Sequence, residues 1–380
     1  MTVTMKLRKG ANRKLLYDIS QLVTTVTWSG SATQASRTLE FSVIHNPFDK
    51  EFPGVEIETG DIVYFYYDKT LRFAGRVLNK SKSAKPGEVS FTAYDYMNLL
   101  LKDKVSYAFK NTTAERITQK VLYDLGIPKG KIKNTKVKIK KWLIEEETAY
   151  NVILGAYLRA SKKTKVKYMP QMDGIRFCIT EKGTDSGAVL RLSENITDST
   201  VEESAEDIVN RVIIVDDKGK KIGVVKDSDS IELFGISQEI YQKEDGVNAK
   251  KAAADMITQP TREAKVEAVG DIRCTAGKSV RVVDSVTGLI GKFWIENDSH
   301  SFSGNTHTMS LTLAFQNLME GNEGTGSKPI ATGDCVCYYS TGGDKFHSAR
   351  KCGSGLVSPI KSTVNEAVKT GRQKCSRCFR

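Results

Sequence analysis

The residues best suited to chemistry crowd the end of this chain. Five of its seven cysteines lie in the last 46 residues, beside one of only four histidines. Cys375-Ser376-Arg377-Cys378 is a C-x-x-C knuckle, a tight turn that lets two thiolates converge on one ion. His347 and Cys352, five residues apart in HSARKC, can supply a second pair, and four N/S ligands in a closed tetrahedron describe structural zinc. Cys335 and Cys337 complicate the set. In an extended strand both thiols point to one face, so either could replace His347, or both could pack as small apolar groups. Residues 334–380 are too few to bury a self-sufficient core without a staple. Synthesis in a reducing cytosol argues for metal over disulfides. Arg372, Lys374, Arg377 and Arg380 crowd the knuckle, where they offset thiolate charge or meet a phosphate.

Elsewhere the sequence offers little chemistry. It lacks H-E-x-x-H, G-x-S-x-G and the phosphate-binding G-x-x-x-x-G-K-[ST]. His300 and His307 fall on expected strands with no nucleophile at a telling spacing, which suits structural roles. No enzyme activity is expected, although two distant carboxylates would suffice for a glycosidase. The net charge of +12 is regional: residues 101–170 hold 17 Lys and Arg against 6 Asp and Glu, and residues 334–380 hold 9 against 3. Lys136, Lys138 and Lys140 alternate with Val137 and Ile139, as on the wet face of a half-buried strand. Only Trp142 and Tyr168 stand near for base stacking, so direct base recognition is not expected.

The elements that must position these groups are legible in outline. VTTVTWSG, TLEFSVIH, DIVYFYYD, LRFAGRVLNKS and VSFTAYDYM alternate as short strands joined by tight turns, the pattern of a small barrel or sandwich. The period then changes. NTTAERITQKVLYDLGIP predicts a helix capped at Asn111, Thr112 or Thr113 and stopped by Gly126 and Pro128. EEETAYNVILGAYLRASKK predicts a second, with Glu145–Glu147 at its start and an apolar stripe of Ala149, Val152, Ile153, Ala156 and Tyr157. Hairpins are expected at Asp173-Gly174 and at Asp217-Lys218-Gly219. NAKKAAADMITQP predicts a helix ended by Pro260. SPIKSTVNEAVKTG predicts another, capped near Ser358 or Ser362 and ended at Gly371. The fold class expected is mainly β with an α/β insert.

A weak internal repeat runs through the body. Gly60–Tyr64 matches Gly277–Arg281, Phe73–Val77 matches Ile290–Trp294, and Val89–Ala93 matches Met309–Leu313. The expected organisation is a first β-barrel domain at 1–100, an α/β insert at 101–185, and a second related barrel with one helix at 186–320. A Gly/Ser/Pro-rich linker at 321–333 and the zinc module at 334–380 follow.

Two resemblances extend this reading. YYSTGGDKFH, the following Cys352, SPIKSTVNEAVKTG and the final C-x-x-C resemble a small treble-clef-like zinc module appended to bacterial and phage proteins, nucleases included. That likeness implies Zn2+ held by His347, Cys352, Cys375 and Cys378, with one extra residue between the first two. NRVIIVDDKGKKIGVVKDSDSIELFGISQEI, NAKKAAADMI and VTGLIGKFWIENDSHSFSGNTHTMSLTLAF resemble the baseplate hub proteins of contractile phage tails and phage-tail-like bacteriocins. This second resemblance implies a homotrimer joining a hexameric tail tube to a central spike, each subunit offering two related barrels. Its implied partners are tail tube, spike, other baseplate proteins, tape measure protein and a target-cell envelope. Nucleic acid is expected only in passage through the channel. Synthesis in the bacterial cytoplasm and assembly into a tail particle follow. The rival readings are a nucleic-acid-binding or nuclease-associated zinc protein and a peptidoglycan hydrolase.

Overall fold

The computed structural model describes residues 2–10, 15–33, 35–46, 48, 54–82, 87–244, 246–316, 336–340, 345–347, 360–363 and 373–375. The chain divides into two compact units, residues 1–199 with 265–321 and residues 200–264 with 322–380. The fold is mainly β with an α/β insert, as expected.

The first half of the body is β1 (Val3–Arg8), β2 (Leu16–Asp18), β3 (Val23–Ser31), β4 (Thr38–His45), β5 (Ile62–Tyr67), β6 (Thr70–Lys82) and β7 (Gly87–Asp95). Inward residues Val26, Trp28, Leu39, Phe41, Phe65, Phe73, Val89 and Phe91 are buried, while Thr25, Glu40, Glu88 and Ser90, at alternate positions, are exposed. That two-residue period is what a sheet with one wet face requires.

The insert follows: α1 (Met97–Lys102), β8 (Lys104–Thr113), α2 (Ala114–Asp124), β9 (Lys129–Ile132), β10 (Lys138–Thr148), α3 (Ala149–Thr164), β11 (Tyr168–Asp173) and β12 (Arg176–Glu181). The stripe expected on α3 is its core face: Ala149, Val152, Ile153, Ala156 and Tyr157 are buried against α2 residues such as Ile117 and Val121. The glutamates do not open this helix. They end β10, and Thr148 caps α3 by accepting from the Asn151 amide at 3.2 Å. Glu147 instead accepts from the Thr148 amide and the Asn151 side chain, so the acid-at-N-terminus pattern reflects the approach to the cap. Asp173-Gly174 turns β11 into β12, with Gly174 at φ +57.

The second half begins with β13 (Asp185–Arg191) and β14 (Ile196–Ser204). A small layer intervenes: β15 (Arg211–Val215), β16 (Lys221–Lys226), α4 (Ser228–Phe234), β17 (Gln238–Gln242) and α5 (Ala249–Asp255). Its hairpin turns at Gly219, and Val212, Ile214 and Ala253 form its own core. β18 (Thr261–Val269), β19 (Ser279–Val283), β20 (Ile290–Ser303) and β21 (Thr306–Ala314) complete the half. Among the described residues no helix is long and apolar enough to cross a membrane.

The repeat is present in the ladders. The orders β14-β18-β21-β20-β19-β13 and β3-β4-β7-β6-β5-β1 run strand for strand within one 13-stranded sheet. Details coincide too. The amides of Gly60 and Gly277 donate to Val77 and Ile295, both at 2.8 Å, and each long strand then bulges by one residue before an asparagine, Asn79 or Asn297. Asn79 pairs with Thr92 and Asn297 with Thr312. The middle strand needs one correction. Val63 faces Gly75 and Val280 faces Phe293, so Phe73–Val77 matches Gly291–Ile295, one residue beyond the alignment by sequence. The outermost strands also differ, since β1 runs antiparallel to β5 and β13 parallel to β19.

Gly60 and Gly277 both have positive φ, +97 and +83, but a Cβ at Gly60 meets nothing within 4 Å, whereas at Gly277 it would lie 1.9 Å from the Met169 sulfur. Gly60→Ala should therefore cost about 1 kcal/mol for backbone conformation. Gly277→Ala should cost about 1 kcal/mol more for displacing Met169. Paired urea titrations check the difference.

Candidate functional site

The two halves meet where β20 outruns its own partner. Its residues Asn297–Ser303 pair antiparallel with β21 on one side and with β3 on the other, setting Asp298 opposite Gly30 and His300 opposite Trp28. The inward positions of this seam carry polar groups where a core strand normally carries aliphatic ones. Asp298 is buried and accepts both terminal nitrogens of Arg37, one at 2.9 Å, and the Ala276 amide at 2.6 Å. Arg37 in turn lies 3.9 Å over the Trp28 ring. The hydrogen bonds that fix this pair leave little room for any other arrangement of β3 against β20.

The histidines sit beneath it. His300 Nε2 lies 2.8 Å from the Cys274 carbonyl, which can only accept, so Nε2 carries the proton. Nδ1 of His300 therefore accepts from His307 Nε2 at 3.0 Å. His307 Nδ1 is then a bare acceptor, buried without a hydrogen-bond partner. Both rings have the structural setting expected of them. Burial lowers the affinity of His300 for a proton, and burial with the neighbouring His300 brings His307 down to about 4. Asp95 behaves oppositely. It accepts from Ser36 Oγ and from the Arg37 and Met97 amides, tying the β3–β4 connection to α1, yet burial pushes its carboxyl up to about 6.

These groups give opposite pH slopes. Histidines whose folded pKa is depressed stabilise above about 6.5, and that stability is lost as pH falls towards 4. A carboxyl raised to about 6 stabilises progressively as pH falls through that value towards its unfolded range. Asp95→Asn should therefore steepen the loss of stability between pH 6.5 and 4.5, and His307→Gln should flatten it. Denaturant midpoints across that range check both signs.

The opposite face of the same strands is wet and rich in hydroxyls, with exposed Glu40 among them. Ser29 and Ser299 approach to 3.2 Å across the seam, and Ser42 and Ser90 to 3.1 Å. Ser29, Ser31, Thr38, Ser299, Ser310 and Thr312 border a shallow hollow of about 280 Å³.

The expected metal ligands are described only in part. β22 (Val336–Tyr339) pairs with β24 (Ile360–Thr363), and β23 (Lys345–Phe346) runs parallel to β25 (Gln373–Lys374). Ile360–Thr363 is thus strand where the start of a helix capped at Ser358 or Ser362 was expected; the antiparallel register with β22 takes those backbone groups. The remainder of that expected helix lies outside the described residues. Of the expected ligands, His347 directly follows β23, and Cys375, which is buried, directly follows β25. Cys352, Cys378 and Cys335 lie outside the described residues, as does the Cys337 side chain.

The basic segment is solvated, and it becomes strand only from Lys138; Lys136, at φ +56, precedes β10. Lys136, Lys138 and Lys140 are exposed around buried Ile139. Trp142 lies 3.9 Å under the Arg159 guanidinium and Tyr168 is buried, so neither ring is presented for stacking.

Sequence reasoning found the histidines but missed Trp28, Arg37, Asp95 and Asp298. The available signal was polar residues at inward positions of an alternating strand, DSHSF at 298–302. Arg37 and Asp298 are too far apart in sequence for any motif to join them.

A family model described as YQBQ-like matches residues 26–314. The Bacillus subtilis phage-like element PBSX protein XkdQ is 26% identical over 306 residues, covering 78% of this chain and 93% of XkdQ. The uncharacterized protein YqbQ of the same organism is 26% identical over 309 residues, covering 78% and 94%. Among solved structures, a 43 kDa tail protein of prophage MuSo2 from Shewanella oneidensis superposes with a TM-score of 0.59 at 17% identity, covering 82% of this chain and 98% of that one. A tail protein from Neisseria meningitidis MC58 superposes with a TM-score of 0.56 at 14% identity, covering 82% and 96%. The duplicated sheet and its insert are the fold of prophage tail proteins, and the chain belongs to the YqbQ-like family.

Proposed function

We propose that this protein is the structural hub of a phage-tail or phage-tail-like baseplate, a homotrimer that adapts a hexameric tail tube to a central spike. The observation that carries the reading is the duplication itself, two six-stranded runs that agree down to the bulge before Asn79 and Asn297. Three copies of a chain with two equivalent surfaces present six, which removes the mismatch between threefold and sixfold partners. The tail-protein relatives support a place in a tail particle; the partners proposed with it are tail tube, spike, other baseplate proteins and tape measure protein, with synthesis in the bacterial cytoplasm. The polar groups of the seam bond to one another and hold the halves together, so the proposed role is structural and not enzymatic.

The terminal module is proposed to hold one structural zinc through His347, Cys352, Cys375 and Cys378, with Cys335 or Cys337 as the substitute for His347. When bound, the metal supplies folding energy that so short a segment otherwise lacks. Its place is at the spike-side tip or against a spike component, where it would approach a target-cell envelope.

Light scattering on the purified chain tests the hub reading. The expected result is three copies per particle, seen in projection as a ring with six similar lobes. A single copy at micromolar and higher concentrations would refute it. Peptidoglycan zymography and salt-dependent DNA binding test the rival activities, and both are expected to be negative.

A further inference from the structure

Because the halves match strand for strand, and in register from the bulge onward, the seam inside the chain specifies what its counterpart must be. Asn297–Ser303 of β20 is covered by β3. The corresponding stretch of β6 is Asn79–Lys82, which pairs with β7 on one side and with no strand on the other among the described residues. The counterpart of β3 is β14, which ends the sheet path with only β18 beside it among the described residues. Among the described residues, each copy thus carries one unfilled edge of each kind.

The charges of these edges are complementary, and reversed relative to the filled seam. Within the chain, β20 contributes Asp298 and the segment after β3 contributes Arg37. At the unfilled edges, Lys80 stands where Asp298 stands and Lys82 where His300 stands, by their partners Phe91 and Val89 against Leu311 and Met309. β14 carries Asp198, Glu202 and Glu203 and no basic residue. Present neighbours make only long contacts with two of these groups: Glu58 lies 3.7 Å from Lys80 and Arg262 lies 3.7 Å from Glu203. Exposed pairs of that kind contribute little.

We propose that residues 79–82 of β6 pair antiparallel with β14 of a second copy of this chain, making between copies the ladder that β20 and β3 make within one. The inference rests on the trimer reading and specifies its interface. Eight strands of each copy, from β14 to β6, then run continuously into the next. Reversal of charge between the two seams keeps them distinct: Lys80 against Arg37, or Asp298 against the acids of β14, would set like charges together. Filling the edges also removes two exposed strand rims that would otherwise template unspecific pairing.

Hydrogen exchange on the wild-type full chain tests this, comparing assembled particles with single chains obtained by dilution. Slowed exchange at 79–82 and 196–204 on assembly is the expected result. A variant carrying Lys80→Glu and Lys82→Glu should assemble at least ~100-fold more weakly, since like-charge contacts at an interface cost several kcal/mol. Adding Glu202→Lys and Glu203→Lys should restore assembly, and an unchanged melting temperature of the single chain shows that the fold survives. A three-copy particle whose 79–82 and 196–204 amides exchange as fast as in single chains would overturn the edge pairing and leave the trimer intact. A chain that forms no particle at all would overturn both.

Discussion

Arg37→Met lowers the unfolding free energy by about 3–5 kcal/mol, the usual result of leaving one member of a buried ion pair unmatched. Asp298 is fully buried, and after the substitution the Ala276 amide still donates to it while His300 Nε2 stands 3.5 Å away, too little to replace the guanidinium charge. The Met side chain fills the space over Trp28 but cannot offer a planar pair of donors to the carboxylate. The double variant Arg37→Met with Asp298→Leu should recover most of the loss, because a packed apolar pair of similar volume is often as stable as the ionic one. Urea denaturation of the four proteins in a double-mutant cycle measures both effects. Amide exchange should also quicken first at 25–31 and 297–303, the ladder that joins the halves. A single variant within about 0.5 kcal/mol of wild type would show that the pair contributes nothing to the seam.

The second large effect concerns the terminal module. Purified protein should contain one zinc per chain, and Cys375→Ser or Cys378→Ser should abolish retention through gel filtration. Four-ligand structural sites bind with apparent free energies of about 10–16 kcal/mol, and in so short a segment that energy is folding energy. Chelation should therefore expose residues 334–380 to proteolysis while leaving residues 1–316 resistant. X-ray absorption at the zinc edge separates the ligand alternatives: three sulfurs and one nitrogen if His347 binds, four sulfurs if Cys335 or Cys337 takes its place. Metal-free protein with a protease-resistant tail would refute the site.

What was legible in the sequence was local. The alternation in IVYFYY and the stripe from Ala149 to Tyr157 each report a face buried by the element itself, so periodicity alone finds them. Glu145–Glu147 misled because acids before an apolar stripe fit a helix start as well as a strand end, and only the pairing with β8 decides. Ile360–Thr363 misled for the same reason, its strand being fixed by β22 some twenty residues earlier. The repeat was visible through its glycines, yet its middle strand was misaligned by one residue. The turn between β5 and β6 is tight, at Asp68-Lys69, whereas six residues separate Val283 from Ile290, so spacing from the glycine is not conserved between the halves. The seam left no trace in the sequence beyond the polar run at 298–302. Trp28, Arg37 and Asp298 acquire meaning only once strands 261 positions apart are adjacent.

The hydroxyl face has its own consequence for anything drawn across it. Serine and threonine offer uncharged donors and acceptors along it, and exposed Glu40, opposite Thr27 and Thr92, sets a fixed negative group among them. A polyanion drawn across meets hydroxyl contacts that break about as readily as they form and is repelled at Glu40. Added salt should weaken that repulsion and leave the hydroxyl contacts as they are.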